Sequence, residues 1–253
     1  MNVKNIKSFV EFYKFLGVTD CISQTPRNKE GEMLNSNSGL EKQIHSTFID
    51  DNDLKRKKKV DLLKNLNYEI SKLDCNLKEI ATNVVFSDGN HDSNVMILGE
   101  APGAQEDLIG KPFVGEAGKL LDKMLAFINL TRENFYISNM VFWRPPGNRT
   151  PNDQEISACL PITKRHIKII NPKLLIFVGS IAAKTLLNSK DGITKLRGKK
   201  HIYLDNDNKL EINARAIFHP AYLLRNPIEK KRTWEDLLEI DEFIKINKIL
   251  ENK

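Results

Sequence analysis

Residues 94–118, NVMILGEAPGAQEDLIGKPFVGEAG, decide the fold. Asn94–Leu98 is a short apolar run, the pattern of a strand buried on both faces, and it ends at Gly99. The chain then turns through Pro102 and Gly103 into a loop bearing Glu100, Glu106 and Asp107, and Gly115–Gly118 opens a helix. In open α/β sheets, ligands bind beyond the carboxyl ends of strands, so this loop predicts a site. It has neither the Gly-Lys-Ser/Thr ending of a phosphate loop nor the glycine spacing of a dinucleotide loop. Its carboxylates repel a free phosphate, which leaves work on a neutral ring or activation of a water as the better-suited chemistry.

Outward from that stretch, short apolar runs alternate with longer amphipathic ones from Val84 onward, the texture of a parallel-sheet α/β domain. A helix is expected over about Glu116–Ile128, a strand over Asn134–Val141, and a helix capped near Asn152 or Asp153 that runs to about Ile170. Leu174–Val178 is an unbroken apolar strand, and Gly179-Ser180 starts a further helix. A basic loop at Lys195–Lys200 and a short hairpin around Asp205–Asn208 lead to the last strand, Ala214–Phe218. A long amphipathic helix over roughly Ile228–Leu250 closes the domain. The expected architecture is a three-layer α/β/α sandwich around a mainly parallel four-stranded sheet, with helices added at the N-terminus.

Ahead of this domain, Ile6, Phe9, Val10, Tyr13 and Leu16 recur at helical spacing and predict an amphipathic docking helix within residues 1–20. Residues 21–57 are polar with few apolar anchors and are expected to be a disordered linker, the catalytic domain occupying 58–253. Lys55–Lys59, KRKKK, suits a nucleic-acid backbone or an ordinary solvated helix start.

Composition narrows the class. The 253 residues carry 39 Lys and Arg against 33 Asp and Glu, which favours an anionic partner, nucleic acid first, while a Lys-rich solvated surface explains the charge equally well. Three widely spaced cysteines argue against a disulfide scaffold and for a reducing compartment. With no run near the ~18 apolar residues of a membrane helix and no apolar leader core, a cytoplasmic protein without membrane contact is expected.

Four segments occur in order: GEAPGAQED with GKPFVGEAG (99–107, 110–118), YISN (136–139), RPPGNRTP (144–151) and HPAYLLRNP (219–227). Together they resemble the family 4 type of uracil-DNA glycosylase, within the uracil-DNA glycosylase superfamily, over about residues 75–240. An N-terminal helix of this kind is similar to those of some bacterial relatives. The resemblance implies hydrolysis of the bond between uracil and deoxyribose after the nucleotide is flipped from the strand, leaving an abasic site for base excision repair. It implies that His219 faces uracil O2 and that Glu100 orients or activates the attacking water. Glu106 then stands near uracil C5, Phe113 stacks on the base, and Asn139 reads the O4 and N3–H edge. Arg144, Arg149, Lys195, Arg197 and Arg225 are expected to hold phosphates, and one of Leu223 and Leu224 to fill the gap left by the flipped nucleotide. Any one of these residues has a bland reading as well: a structural His, an exposed loop Glu, a core Phe or Leu, a turn-forming Asn.

The sequence departs from the family at its cofactor. Family 4 members are expected to hold a 4Fe-4S cluster on four cysteines; Cys75 and Cys159 match two of these positions, while Lys72 and Trp143 stand at the other two. An ammonium and an indole cannot replace thiolates, so no cluster and no metal are expected, with Trp143 packing into the space. Phe113–Gly118 runs directly into Lys119 and Leu120, without the basic His-containing insertion of a related branch that binds covalently, so hydrolytic turnover is expected. The expected partner is uracil-containing DNA, engaged by a monomer whose N-terminal region is open to an unknown protein. The competing reading is a catalytically weakened DNA-binding or phage-type polymerase accessory domain of the same fold.

Overall fold

The computed structural model describes residues 11–14, 51–207 and 209–251. Its core is a six-stranded sheet of β1 (Ser87–Gly89), β2 (Val95–Gly99), β3 (Tyr136–Asn139), β4 (Leu174–Val178), β5 (His201–Asp205) and β6 (Leu210–Ile217), in the order β1-β3-β2-β4-β6-β5. The inner strands β3, β2, β4 and β6 are parallel, as expected. The four-strand expectation left both edges out of the sheet: β1 pairs antiparallel with β3, and β5 pairs antiparallel with β6 about the position where a short hairpin was expected.

Side-chain alternation along the parallel strands sorts the core into two layers. On one face, Met96, Leu98, Leu175, Phe177, Ala214 and Ala216 meet α1 (Asp51–Ile70), α5 (Asp153–Ile170), α6 (Ser180–Leu186) and α7 (Ile193–Leu196). On the other, Val95, Ile97, Ile137, Ile176, Val178 and Ile217 meet α4 (Glu116–Ala126), α8 (Pro220–Arg225) and α9 (Lys230–Ile246). Two short helices, α2 (Leu77–Ile80) and α3 (Ala104–Ile109), lie in the loops before and after β2. Because β2 and β4 are buried at every residue, they read in sequence as unbroken apolar runs.

Helix α1 begins at Asp51, inside the segment expected to be linker, and residues 15–50 lie outside the described residues. Arg165 of α5 forks onto Glu69 of α1, and Lys59 reaches the carbonyls of His91 and Ile170 at 3.2 and 3.4 Å. Arg56 pairs with Asp92 at 2.6 Å, so two members of the basic run serve the fold. Residues 11–14 are helical, with the wholly buried Phe12 ring 4.7 Å from Trp234 and 5.6 Å from Phe127. The rest of the expected N-terminal helix lies outside the described residues.

Candidate active site

The carboxyl ends of β2, β3 and β6 open onto a cleft of about 450 Å³ lined by Glu100, Glu106, Phe113, Asn139, Arg149, His219 and Arg225, among others. Five of the expected catalytic and base-contacting residues therefore share one site. Gly99 allows them to converge, since a Cβ there would sit 2.3 Å from Phe113 Cζ and 2.4 Å from Asn139 Oδ1. The ring and the amide close over a strand end that only glycine leaves open.

Asn139 is 2% exposed, and its Oδ1 is buried without a hydrogen-bond partner. Such an acceptor is costly unless a ligand supplies the donor. Phe113 is buried beside it with φ +56°, a left-handed conformation that costs a bulky residue about 1–3 kcal/mol. Its ring centroid lies 5.9 Å from that of His219.

His219 caps α8, its Nδ1 accepting from the Ala221 N–H at 3.2 Å. Burial, seconded by Arg225 and opposed by Glu106, pushes its pKa down to about 4, so the ring is neutral at physiological pH. With Nδ1 used as an acceptor, the single ring proton belongs on Nε2. Glu100, just past β2, has its pKa raised by burial, against a hydrogen bond with Thr150 that works the other way.

Glu106 is more tightly held than its sequence position suggests. Oε1 accepts from the N–H groups of Val114 and Gly115, both at 2.8 Å, and Oε2 from Gly103 at 3.1 Å. Asp107, given no chemistry from sequence, accepts from the Thr82 and Asn83 N–H groups and ties the α2 loop to α3.

The expected DNA-contacting residues divide. Arg149 and Arg225 line the cleft, and Arg144 stands one step back, donating to Asn148 at 2.7 Å. Arg149 is already committed in part, its guanidinium forked onto Glu155 at 2.6 and 2.9 Å. Arg197 is not presented to the cleft: it makes a buried two-bond pair with Asp236, both bonds 2.8 Å, and caps the Arg232 carbonyl. Lys195 also lies elsewhere, on an exposed helix turn paired with Asp191. Leu223 is wholly buried in the core, whereas Leu224 is 47% exposed. Thr150 went unassigned in the sequence although it falls inside the quoted RPPGNRTP segment; nothing in that motif says that its partner is Glu100.

The cysteine positions bear on whether a cluster can be held. Cys75 and Cys159 are both free and buried, and burial pushes the Cys159 thiol up to about 12. Trp143, 1% exposed, belongs to the same apolar cluster, and Lys72 lies over the Tyr68 ring at 4.2 Å. Two thiols, an indole and an outward-turned ammonium do not fit a four-thiolate cluster.

Comparison with known proteins agrees with this geometry. Residues 86–238 match the family model of the uracil DNA glycosylase superfamily. A Type-4 uracil-DNA glycosylase of Thermotoga maritima is 40% identical over 174 residues, covering 68% of this chain and 88% of the relative. One of Sulfurisphaera tokodaii is 39% identical over 178 residues, covering 68% of this chain and 80% of its own length. A DNA polymerase of Bacillus phage SP01 is 31% identical over 155 residues, but these make up only 16% of that protein. The chain belongs to the uracil-DNA glycosylase superfamily. Within it, the similarity runs to the Type-4 enzymes, a group that carries an iron–sulfur cluster.

Proposed function

We propose that the cleft excises uracil from DNA by hydrolysing its N-glycosidic bond, with Asn139, Phe113, His219 and Glu100 dividing the work. The observation that carries this reading is the buried, unpartnered Oδ1 of Asn139, set beside Phe113 in the same cleft as His219. An amide there accepts from uracil N3–H and donates to O4, while cytosine offers an amino group and a bare N3 in those places. Phe113 supplies a face for the flipped base, a contact worth about 1–3 kcal/mol. Glu106, immobilised by three backbone N–H groups, is a wall that cannot move aside for a thymine methyl. Rigidity is what such discrimination needs, since one methyl in an adaptable pocket is worth only about 1–3 kcal/mol.

As the bond breaks, negative charge grows on the uracil and positive charge on the sugar. His219 Nε2–H meets the charge at O2, and a donor so placed is worth about 3–4 kcal/mol. The Glu100 carboxylate faces the sugar, favours the cation and orients the attacking water. Arg144, Arg149 and Arg225 hold phosphates at the rim, and Leu224 fills the vacated place in the strand. We further propose that the chain works as a monomer and without a cluster, because two of the four thiolates are missing and Trp143 occupies the core there.

Single-turnover release of uracil from a labelled single-stranded oligonucleotide tests the reading, with thymine-containing DNA, His219→Ala and Asn139→Ala alongside. Uracil release, no thymine release and a loss of about 10²-fold or more in His219→Ala are the expected results. Folded protein that binds the oligonucleotide without releasing uracil would overturn the proposal in favour of a binding domain.

A further inference from the structure

Arg132 lies in the loop between α4 and β3, is absent from the cleft wall and has no part in the chemistry above. Its guanidinium is nonetheless committed on every side. Nη2 donates to the Phe113 carbonyl at 2.8 Å, and Nη1 to the Pro112 carbonyl at 3.2 Å. Asp122 of α4 accepts from Nε at 3.0 Å and Nη2 at 3.3 Å, and Asp88 of β1 accepts from Nη1 at 3.2 Å. The side chain is only 24% exposed.

The residue that Arg132 holds is the one whose backbone most needs holding. Phe113 has φ +56°, and its carbonyl is packed so closely against Gly118 that a Cβ there would lie 2.0 Å from the oxygen. Gly99 leaves room beneath the ring. A left-handed turn at a bulky residue persists only where its surroundings over-determine it, and here a planar five-donor fork joins the turn to a strand and a helix.

We infer that Arg132 is the positioning residue for Phe113: by gripping the carbonyls of residues 112 and 113 from Asp88 and Asp122, it fixes the turn that presents the ring to the flipped base. The inference rests on the reading of Phe113 as the stacking residue. Lysine at 132 would keep the charge but offers a compact point charge that cannot span both carbonyls and both carboxylates.

The test is a double-mutant cycle on kcat/KM for uracil release, using the full chain, Phe113→Ala, Arg132→Lys and the double variant, each checked by thermal melting to be folded at the assay temperature. Arg132→Lys is expected to lose about tenfold alone and less than about twofold in the Phe113→Ala background, because its effect passes through the ring. Asp122→Asn, which loosens the far end of the grip while keeping the guanidinium, is expected to show a smaller loss with the same dependence on Phe113, and it serves if Arg132→Lys does not fold. A Phe113→Ala loss of about tenfold or more beside an unchanged Arg132→Lys would overturn the inference alone. Equal Arg132→Lys losses in both backgrounds would do the same, showing a general structural effect. If Phe113→Ala itself leaves kcat/KM unchanged, the stacking assignment fails and this inference falls with it.

Discussion

A histidine that gives a hydrogen bond to a departing base must carry one proton, on the correct nitrogen, and at His219 neighbouring groups meet both conditions. The Ala221 N–H occupies Nδ1, and burial lowers the pKa to about 4. His219 is therefore neutral through the whole physiological range, and on the proposed chemistry a loss of activity on mild acidification is expected from another group. On that chemistry Glu100 is the group: burial raises its pKa above the ordinary 4.5, and only the carboxylate can orient water or favour the sugar cation. Single-turnover rates taken across the acid range are expected to fall as Glu100 gains its proton, at a pH above 4.5. Glu100→Gln is expected to be slow and to lack that fall; an unchanged acid limb in the variant would assign it to a different residue. The family resemblance led to His219, Asn139 and Phe113, each of which stands at a strand end or a turn within a recognisable segment. It misplaced Arg197 because charge is visible in a sequence and pairing is not: the partner, Asp236, is 39 residues away. Arg132 was invisible for the same reason, standing 19 residues from the carbonyl it holds.

At the scale of elements, legibility followed burial. Strands β2 and β4 are apolar throughout and were readable to within a residue or so, whereas β1 is Ser-Asp-Gly and exists only through its pairing with β3. The first turn of α1, DNDL, is as polar as a linker, so composition could not mark it as helix, whereas the KRKKK run that follows was legible as a solvated helix start. The N-terminus of α5 was readable from its cap. Asn152 Oδ1 accepts from the Glu155 N–H at 2.9 Å, and Glu155 Oε2 returns to the Asn152 N–H at 2.8 Å. What the pattern did not reveal is that the same Glu155 carboxylate also receives the Arg149 fork, tying the helix to the loop whose Thr150 bonds Glu100. The two halves of this box are therefore expected to separate under mutation. Asn152→Ala should cost about 1 kcal/mol in denaturant unfolding and leave uracil release near normal below the melting range. Glu155→Ala should cost more and also slow release, because it frees the loop behind Glu100. Equal rates in the two variants would show that the loop holds its place without Glu155.

For the molecule as a whole, the open question is what braces the junction of α1, α5 and the sheet, where the family resemblance sets its cluster positions. Cys75 lies a few residues past α1, Cys159 is on α5 and Trp143 follows β3, and all three lie in one apolar cluster with Leu66, Ile70 and Ile162. Fully burying a tryptophan removes about 150–250 Å² from water, which at ~25 cal/mol per Å² is an upper contribution of about 4–6 kcal/mol. Packing on that scale is enough to hold elements together, so loss of two thiolates need not cost the glycosylase its shape. Protein purified without air is accordingly expected to hold iron and acid-labile sulfide only at background and to release uracil at the same rate with or without an iron chelator. Trp143→Ala, which empties the same space, is expected to lose about 3–5 kcal/mol of stability. Iron at about four per chain would overturn this account. It would mean that Cys21, the third and last cysteine of the sequence, joins Cys75 and Cys159 with a fourth ligand that is not a thiolate, and Trp143 would then flank a cluster instead of replacing one.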